Sequence, residues 1–390
     1  MTRQATSQAE ILSRAVAVEK RPTMLDKGDA MAPPPLALER RFPTLAGRLA
    51  RIKLTNLPTP VHPLPRLARE QGIDRLWVKR DDQSGILYGG NKPRKLEFLL
   101  ADAQRRGRRS VMTFGGIGTH HGLATAICAR EIGLRAILVL LRQPVTEHVR
   151  RCLLLDHAYG AELHYAPTVP RVAATALRLL ARGLVRRDIP YIIPTGGTSP
   201  LGTLGYVNAA FELAEQIENG ELPEPGSIFV PLGSGGTVAG LMLGLKLAGL
   251  RSRVIGVLVT DILPPSPRSL ARLARASLRR LRRAAPEVPE VNLSEADATL
   301  ITGYVGKGYG AATAEGEAAL QRVETLEAIH LDPTYTAKCF AALLQLAHQP
   351  PYRDQTILFW NTYSSVDPAA ALRGLPDFRE LPAAFHAFYR

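Results

Sequence analysis

Short apolar runs alternate with stretches of helical length through most of this chain, and no other feature narrows its fold as far. Ser110–Phe114, Ala136–Leu141 and Glu162–Tyr165 read as strands, followed by helical stretches at 122–132, 144–158 and 171–186. A second cycle runs from Ile228–Leu232 with a helix over 237–249, through Val254–Leu258 with a helix over 267–284, to Thr356–Trp360. Strands separated by helices pair in parallel and are covered on both faces. The expected fold class is α/β, with two open, mostly parallel α/β domains and ligands bound where loops leave the C-terminal strand ends. Upstream, Leu76–Lys79 reads as one more strand. Pro58, Pro60, Pro63 and Pro65 before it form an extended lead-in, because proline cannot sit in a central ladder. The 390 residues, 46% hydrophobic, are enough for two cores. No run approaches the roughly 18 apolar residues of a membrane helix, so no membrane partner is expected.

Residues 1–50 mix charged side chains with Pro33-Pro34-Pro35 and lack the apolar core of a secretory signal, which reads as a mobile or loosely docked extension. Cys128, Cys152 and Cys339 are odd in number and lack metal-ligand spacing, so neither a disulfide scaffold nor a zinc site is expected, and a cytoplasmic location is the default. The net charge of +14 suits an anionic ligand or a polyanion. Seven arginines between Arg268 and Arg283 point towards nucleic acid, but Leu270, Leu273, Leu278 and Leu281 recur at helical spacing among them. One buried face and a solvated arginine face explain that pattern, and no specific nucleic-acid partner is expected.

Three glycine-rich loops carry the chemistry. In Gly89-Gly90-Asn91-Lys92-Pro93-Arg94-Lys95-Leu96-Glu97 the glycines permit a sharp turn and Pro93 suits a helix start. Lys92 there is either an ordinary surface lysine or a partly desolvated amine near a positive helix end, with the lowered pKa that Schiff-base chemistry needs. Val230–Gly240 reads as strand, turn and helix start; Ser234-Gly235-Gly236-Thr237 offers backbone N–H groups and two hydroxyls to an anion. It matches neither the dinucleotide fingerprint nor a P-loop. Gly115–Gly122 opens a third helix, where Thr119 caps the helix or helps to hold a carboxylate. His120 and His121 are adjacent, so they face different ways on a helix, and no metal site is expected.

Together the three loops resemble the pyridoxal-phosphate enzymes of the tryptophan-synthase-β type (fold type II), within them the D-cysteine desulfhydrases and 1-aminocyclopropane-1-carboxylate (ACC) deaminases. The resemblance runs from about Leu57 to Pro382 and is most specific at Gly89–Glu97. It implies a cofactor, pyridoxal 5'-phosphate, held between the two domains and bound to Lys92 and Asn91. His120 lies beside the cofactor and Ser234, Gly235, Gly236 and Thr237 hold its phosphate. Ile193–Thr198 falls on a further active-site turn. Tyr309 in Val305–Gly310 and Tyr335 in Asp332–Thr336 match active-site phenols, and Thr119 matches a substrate-carboxylate clamp. The catalytic set is thus Lys92, Thr119, Tyr309 and Tyr335. The division implied is an extension over 1–50, a larger cofactor domain from 51–90 and 205–390, and a smaller domain over 91–204.

Thr336 and Thr362 stand where ACC deaminases carry Glu and Leu. On the resemblance, a hydroxyl beside the pyridine nitrogen, with Thr336 as cofactor ligand, favours β-elimination over ring opening. The implied function is a lyase acting on a small amino acid, D-cysteine going to sulfide, pyruvate and ammonia, in a homodimer. ACC deamination, another elimination or racemisation is the alternative, and a catalytically altered ligand-binding protein is the alternative outside enzymes. Departures lie at Gly118, Thr119, His120 and Asn361–Ser364, where the family tends to have Gln, Ser, Asn and His-Thr-Gly-Gly.

Overall fold

A computed structural model describes residues 34–390; the part of the extension at 1–33 lies outside the described residues. Among the described residues ten strands build two sheets: β1 (Val61–Pro63), β2 (Leu76–Lys79), β3 (Ser110–Gly116), β4 (Arg135–Leu141), β5 (Glu162–Tyr165), β6 (Tyr191–Ile192), β7 (Ser227–Leu232), β8 (Arg253–Leu258), β9 (Ala298–Ile301) and β10 (Ile357–Trp360). One sheet has the order β1-β2-β10-β7-β8-β9 and the other β5-β4-β3-β6. All pairings are parallel except β1 with β2. Proline is tolerated in β1 because that strand is the sheet edge.

Among the described residues eleven helices cover the sheets: α1 (Ala37–Arg41), α2 (Pro65–Gln71), α3 (Asn91–Arg105), α4 (His120–Glu131), α5 (Glu147–Ala158), α6 (Val169–Val185), α7 (Leu204–Glu218), α8 (Gly236–Ala248), α9 (Pro267–Ala284), α10 (Ala314–Glu327) and α11 (Thr336–Leu346). The expected extension is docked from residue 34: Leu36, Leu38, Phe42 and Leu45 are buried, and the Leu38 N–H donates to Asn208 Oδ1 at 3.0 Å. On α9 the buried face is Leu270, Ala274, Leu278 and Leu281, while Arg268 and Arg282 pair with Glu295 and Glu290 in solvent. No helix among the described residues is long and apolar enough to cross a membrane.

A buried charge network locks α3 in place. Arg94, about 1% exposed, donates to Asp81 Oδ1 and Oδ2 (2.7 and 3.0 Å) and to Glu212 Oε2 and Oε1 (2.9 and 3.0 Å). Lys79 Nζ donates to Glu212 Oε1 at 2.6 Å and Tyr206 Oη to Asp81 Oδ2 at 2.5 Å. Two cations thus face two carboxylates with no net charge, joining β2, the turn after it, α3 and α7. Burial alone would raise the Glu212 carboxyl, but Arg94 and Lys79 hold it well below the usual range. Removing one partner leaves an uncompensated buried charge. Glu212→Gln should therefore lose about 3–5 kcal/mol of stability, read as a lower urea midpoint; a midpoint matching the parent would contradict the network's role.

Candidate active site

A cavity of about 640 Å³ opens between the C-terminal ends of the two sheets, walled by all three glycine-rich loops. Lys92 stands in the first turn of α3. Its approach is fixed by Gly90, whose φ of 82° suits glycine and where a β-carbon would lie 2.6 Å from the carbonyl oxygens of Thr362 and Tyr363. Backbone bonds hold the turn: Gly90 N–H to Asp81 O at 2.7 Å, Asn91 N–H to Thr362 O at 3.1 Å. Lys92 Nζ donates to Asn91 Oδ1 at 2.6 Å, and Asn91 Nδ2 donates to Thr237 Oγ1 at 3.2 Å. Burial lowers the Lys92 amine to about 8, against a smaller upward pull from Asp332.

The second loop forms a cup at the start of α8. Gly235 (φ 91°) turns the chain, and the first-turn N–H groups of a helix have no intrahelical acceptors. Thr198 Oγ1 donates to Ser234 Oγ at 2.7 Å, bringing the Pro194–Thr198 turn alongside. Lys95, about 2% exposed, also reaches the cup: a β-carbon on Gly236 would lie 3.0 Å from its Nζ, which donates to Gly196 O at 3.2 Å. Burial first, and then the charge of Lys92, push its amine well below the usual lysine range. A buried amine with one neutral acceptor calls for an anion.

On the third loop Thr119 caps α4, its Oγ1 accepting from the Gly122 N–H at 3.5 Å, and it lines the cavity. The histidines diverge. His120 Nδ1 meets Tyr88 Oη at 3.0 Å, whereas His121 Nε2 meets Thr113 Oγ1 at 2.8 Å. Burial, reinforced by His148, holds His120 well below the usual imidazole range, so it is neutral near pH 7. Its ring lies 5.2 Å from Tyr363, so the two bulky departures share one wall. Gln143 Oε1 accepts from the Gly118 N–H at 3.2 Å, and its amide fills the room beside that glycine: a β-carbon there would lie 2.9 Å from Nε2. No group of three or more metal-ligating side chains occurs among the described residues.

Tyr309 and Tyr335 meet hydroxyl to hydroxyl at 2.5 Å across the cavity, and burial raises both phenols. Thr336 is elsewhere. Fully buried, it does not line the cavity; its Oγ1 bonds Asp332 Oδ1 at 2.7 Å and accepts from the Asp332 N–H at 2.7 Å, closing the first turn of α11. Its hydroxyl serves the helix cap, and Thr362 is the threonine that lines the wall. Asp332 is the one carboxylate among the lining residues, and its oxygens accept from the N–H groups of Thr334, Tyr335 and Thr336. Lys95 and Tyr88 escaped the loop reading, whereas Thr198 lies on the further turn named from the sequence. Only the i,i+3 spacing of Lys92 and Lys95 signalled one of them.

A family model described as "Pyridoxal-phosphate dependent enzyme" matches residues 52–362. The chain is 36% identical over 321 residues to a D-cysteine desulfhydrase of Klebsiella pneumoniae, covering 81% of this chain and 94% of that one. It is 36% identical over 337 residues, 85% and 95% of the two chains, to a Pyrococcus horikoshii protein provisionally named a 1-aminocyclopropane-1-carboxylate deaminase. A crystal structure described as that of an ACC deaminase homologue matches with a TM-score of 0.71 at 35% identity, over 82% of this chain and 93% of that one. The donors fit pyridoxal phosphate: a half-buried amine for its aldehyde, and the Ser234–Thr237 turn with Lys95 for its phosphate. Only a neutral amine attacks an aldehyde, and Lys92 is cationic below its pKa. Attachment of pyridoxal phosphate to the stripped protein, followed by absorbance, should accelerate as pH rises through about 8; a rate independent of pH, or faster in acid, would contradict this.

Proposed function

The chain belongs to the pyridoxal-phosphate dependent enzyme family, in its D-cysteine desulfhydrase and ACC deaminase group, and we propose that it eliminates sulfide from D-cysteine to leave pyruvate and ammonia. The observation that carries this choice is the Asp332 carboxylate, the one acid in the wall and already taken up by the start of α11. Hydroxyls and phenols share the wall with it, Thr362, Tyr309 and Tyr335 among them. A pyridine nitrogen held beside a hydroxyl such as that of Thr362 would stay unprotonated, which would suit loss of a good leaving group better than opening of a carbon ring.

When bound, pyridoxal phosphate supplies an anchor for the amino group and an electron sink. Lys92 would hold it through Nζ, with Asn91 alongside, and Ser234, Gly235, Gly236, Thr237, Thr198 and Lys95 would seat its phosphate. His120 and Tyr363 would border its ring. Once displaced, the Lys92 amine takes the α-proton, its lowered pKa keeping much of it neutral near pH 8. Thr119 and the first-turn N–H groups of α4 would hold the substrate carboxylate. The Tyr309 and Tyr335 phenols, kept protonated by burial, give a proton to the departing sulfur.

Incubation with D-cysteine, L-cysteine and ACC in parallel should give sulfide and pyruvate from D-cysteine; ammonia from ACC with no sulfide from D-cysteine would overturn the proposal. Tyr309→Phe and Tyr335→Phe should each lower kcat roughly 10²- to 10⁴-fold with the cofactor absorbance retained. Turnover matching the parent in both would remove the phenols from the reaction.

A further inference from the structure

Helix α6 packs on the four-stranded sheet through Val172, Ala176 and Leu179, which meet Met112, Ile137 and Val139. At about 100° per residue those side chains occupy one arc of the helix, and a second arc faces away from the sheet. It runs through Ala173, Leu177, Ala181, Leu184 and Val185 and carries no charge or hydrogen-bonding side chain. Leu177 is 68% exposed, Leu184 66% and Val185 85%. The inner end of this arc, at Ala173, borders the cavity, whereas Leu177, Ala181, Leu184 and Val185 do not line it, so ligand binding there does not account for them. Ile192 on the edge strand β6, the register partner of Met112, adds a further exposed apolar side chain on that side of the sheet. A contiguous apolar surface of this kind marks a contact with a partner or a membrane.

Charge decides between them. Arg171, Arg178 and Arg182 stand along one border of the arc, and Arg186 and Arg187 follow at its C-terminal end. Arg182 pairs with Glu162, and the other four have no acidic partner among the described residues. Residues 91–204 hold seventeen Lys and Arg against seven Asp and Glu, ten of the chain's fourteen net positive charges. We propose that α6 docks the protein on an anionic lipid surface, with the apolar arc sunk between headgroups and acyl chains and the arginines on the lipid phosphates. An apolar face bordered by arginines is what an interfacial helix needs, and the guanidinium fork matches phosphate oxygens. A second copy of the chain would instead bring its own unpaired arginines against these. The lack of an 18-residue apolar run excludes a helix that crosses a bilayer, not one that lies in its surface.

The test floats the holoenzyme with vesicles of phosphatidylcholine alone and of equal parts phosphatidylcholine and phosphatidylglycerol. It should rise with the anionic vesicles, and added salt should release it. Leu177→Gln and Leu184→Gln, both at exposed positions, should each weaken binding about tenfold with the cofactor absorbance retained. Arg178→Gln should weaken it about fivefold. Val185→Trp should give a fluorescence maximum that moves to shorter wavelength with the anionic vesicles. Failure to float with either vesicle, equal binding to both, an unshifted spectrum, or leucine variants that bind like the parent would overturn the proposal. So would an oligomer that dissociates in the leucine variants, which assigns the face to a second copy.

Discussion

Arg94 holds a full charge inside the protein, and the position of Lys92 two residues earlier depends on it. A guanidinium so deeply buried is tolerable only if its donors are met by matched carboxylates, and Asp81 and Glu212 meet them from the turn after β2 and from α7. Glu212 also neutralises Lys79 on β2. The first turn of α3 is thereby fixed against the six-stranded sheet from two directions. The backbone bonds of Gly90 and Asn91 then leave the Lys92 amine few places to go.

The cavity is unusual in its electrostatics. A half-buried lysine, Lys92, and a buried one, Lys95, share it with a single carboxylate, and Asp332 is engaged in holding the start of α11. Desolvation lowers both amines, which gives one of them nucleophilic character and leaves the other beside a ring of backbone and hydroxyl donors. An anionic cofactor with an aldehyde answers both demands, and the strands of the two sheets deliver the loops to that point. Fold and chemistry are linked through the helix starts: α3 presents the amine, α8 the anion cup and α4 the Thr119 cap.

Much of this was legible in the sequence, and the exceptions have physical causes. Leu76–Lys79 and Pro267–Ala284 form where apolar alternation and helical spacing place them. The helix Leu204–Glu218 is buried along nearly its whole length, so it shows no polar face to mark it. Tyr191–Ile192 is too short to carry a period, and Val61–Pro63 hides in a proline cluster that only an edge strand accepts. The glycine turns stood out because their residue types are constrained by backbone shape. The motif gives Thr336 as a neighbour of Tyr335 in sequence but not the bond that joins its hydroxyl to Asp332 in the helix cap. Lys95 was hidden for the opposite reason: its charge reaches a cup formed 140 residues downstream, which no local pattern records.

The account stands on one covalent attachment, and mapping it is the most direct test. Reducing the holoprotein with borohydride, digesting it and sequencing the labelled peptide by mass spectrometry should place the pyridoxyl group on Lys92 alone. A label on Lys95 or any other residue, or no label in a protein that still binds the cofactor, would contradict the account.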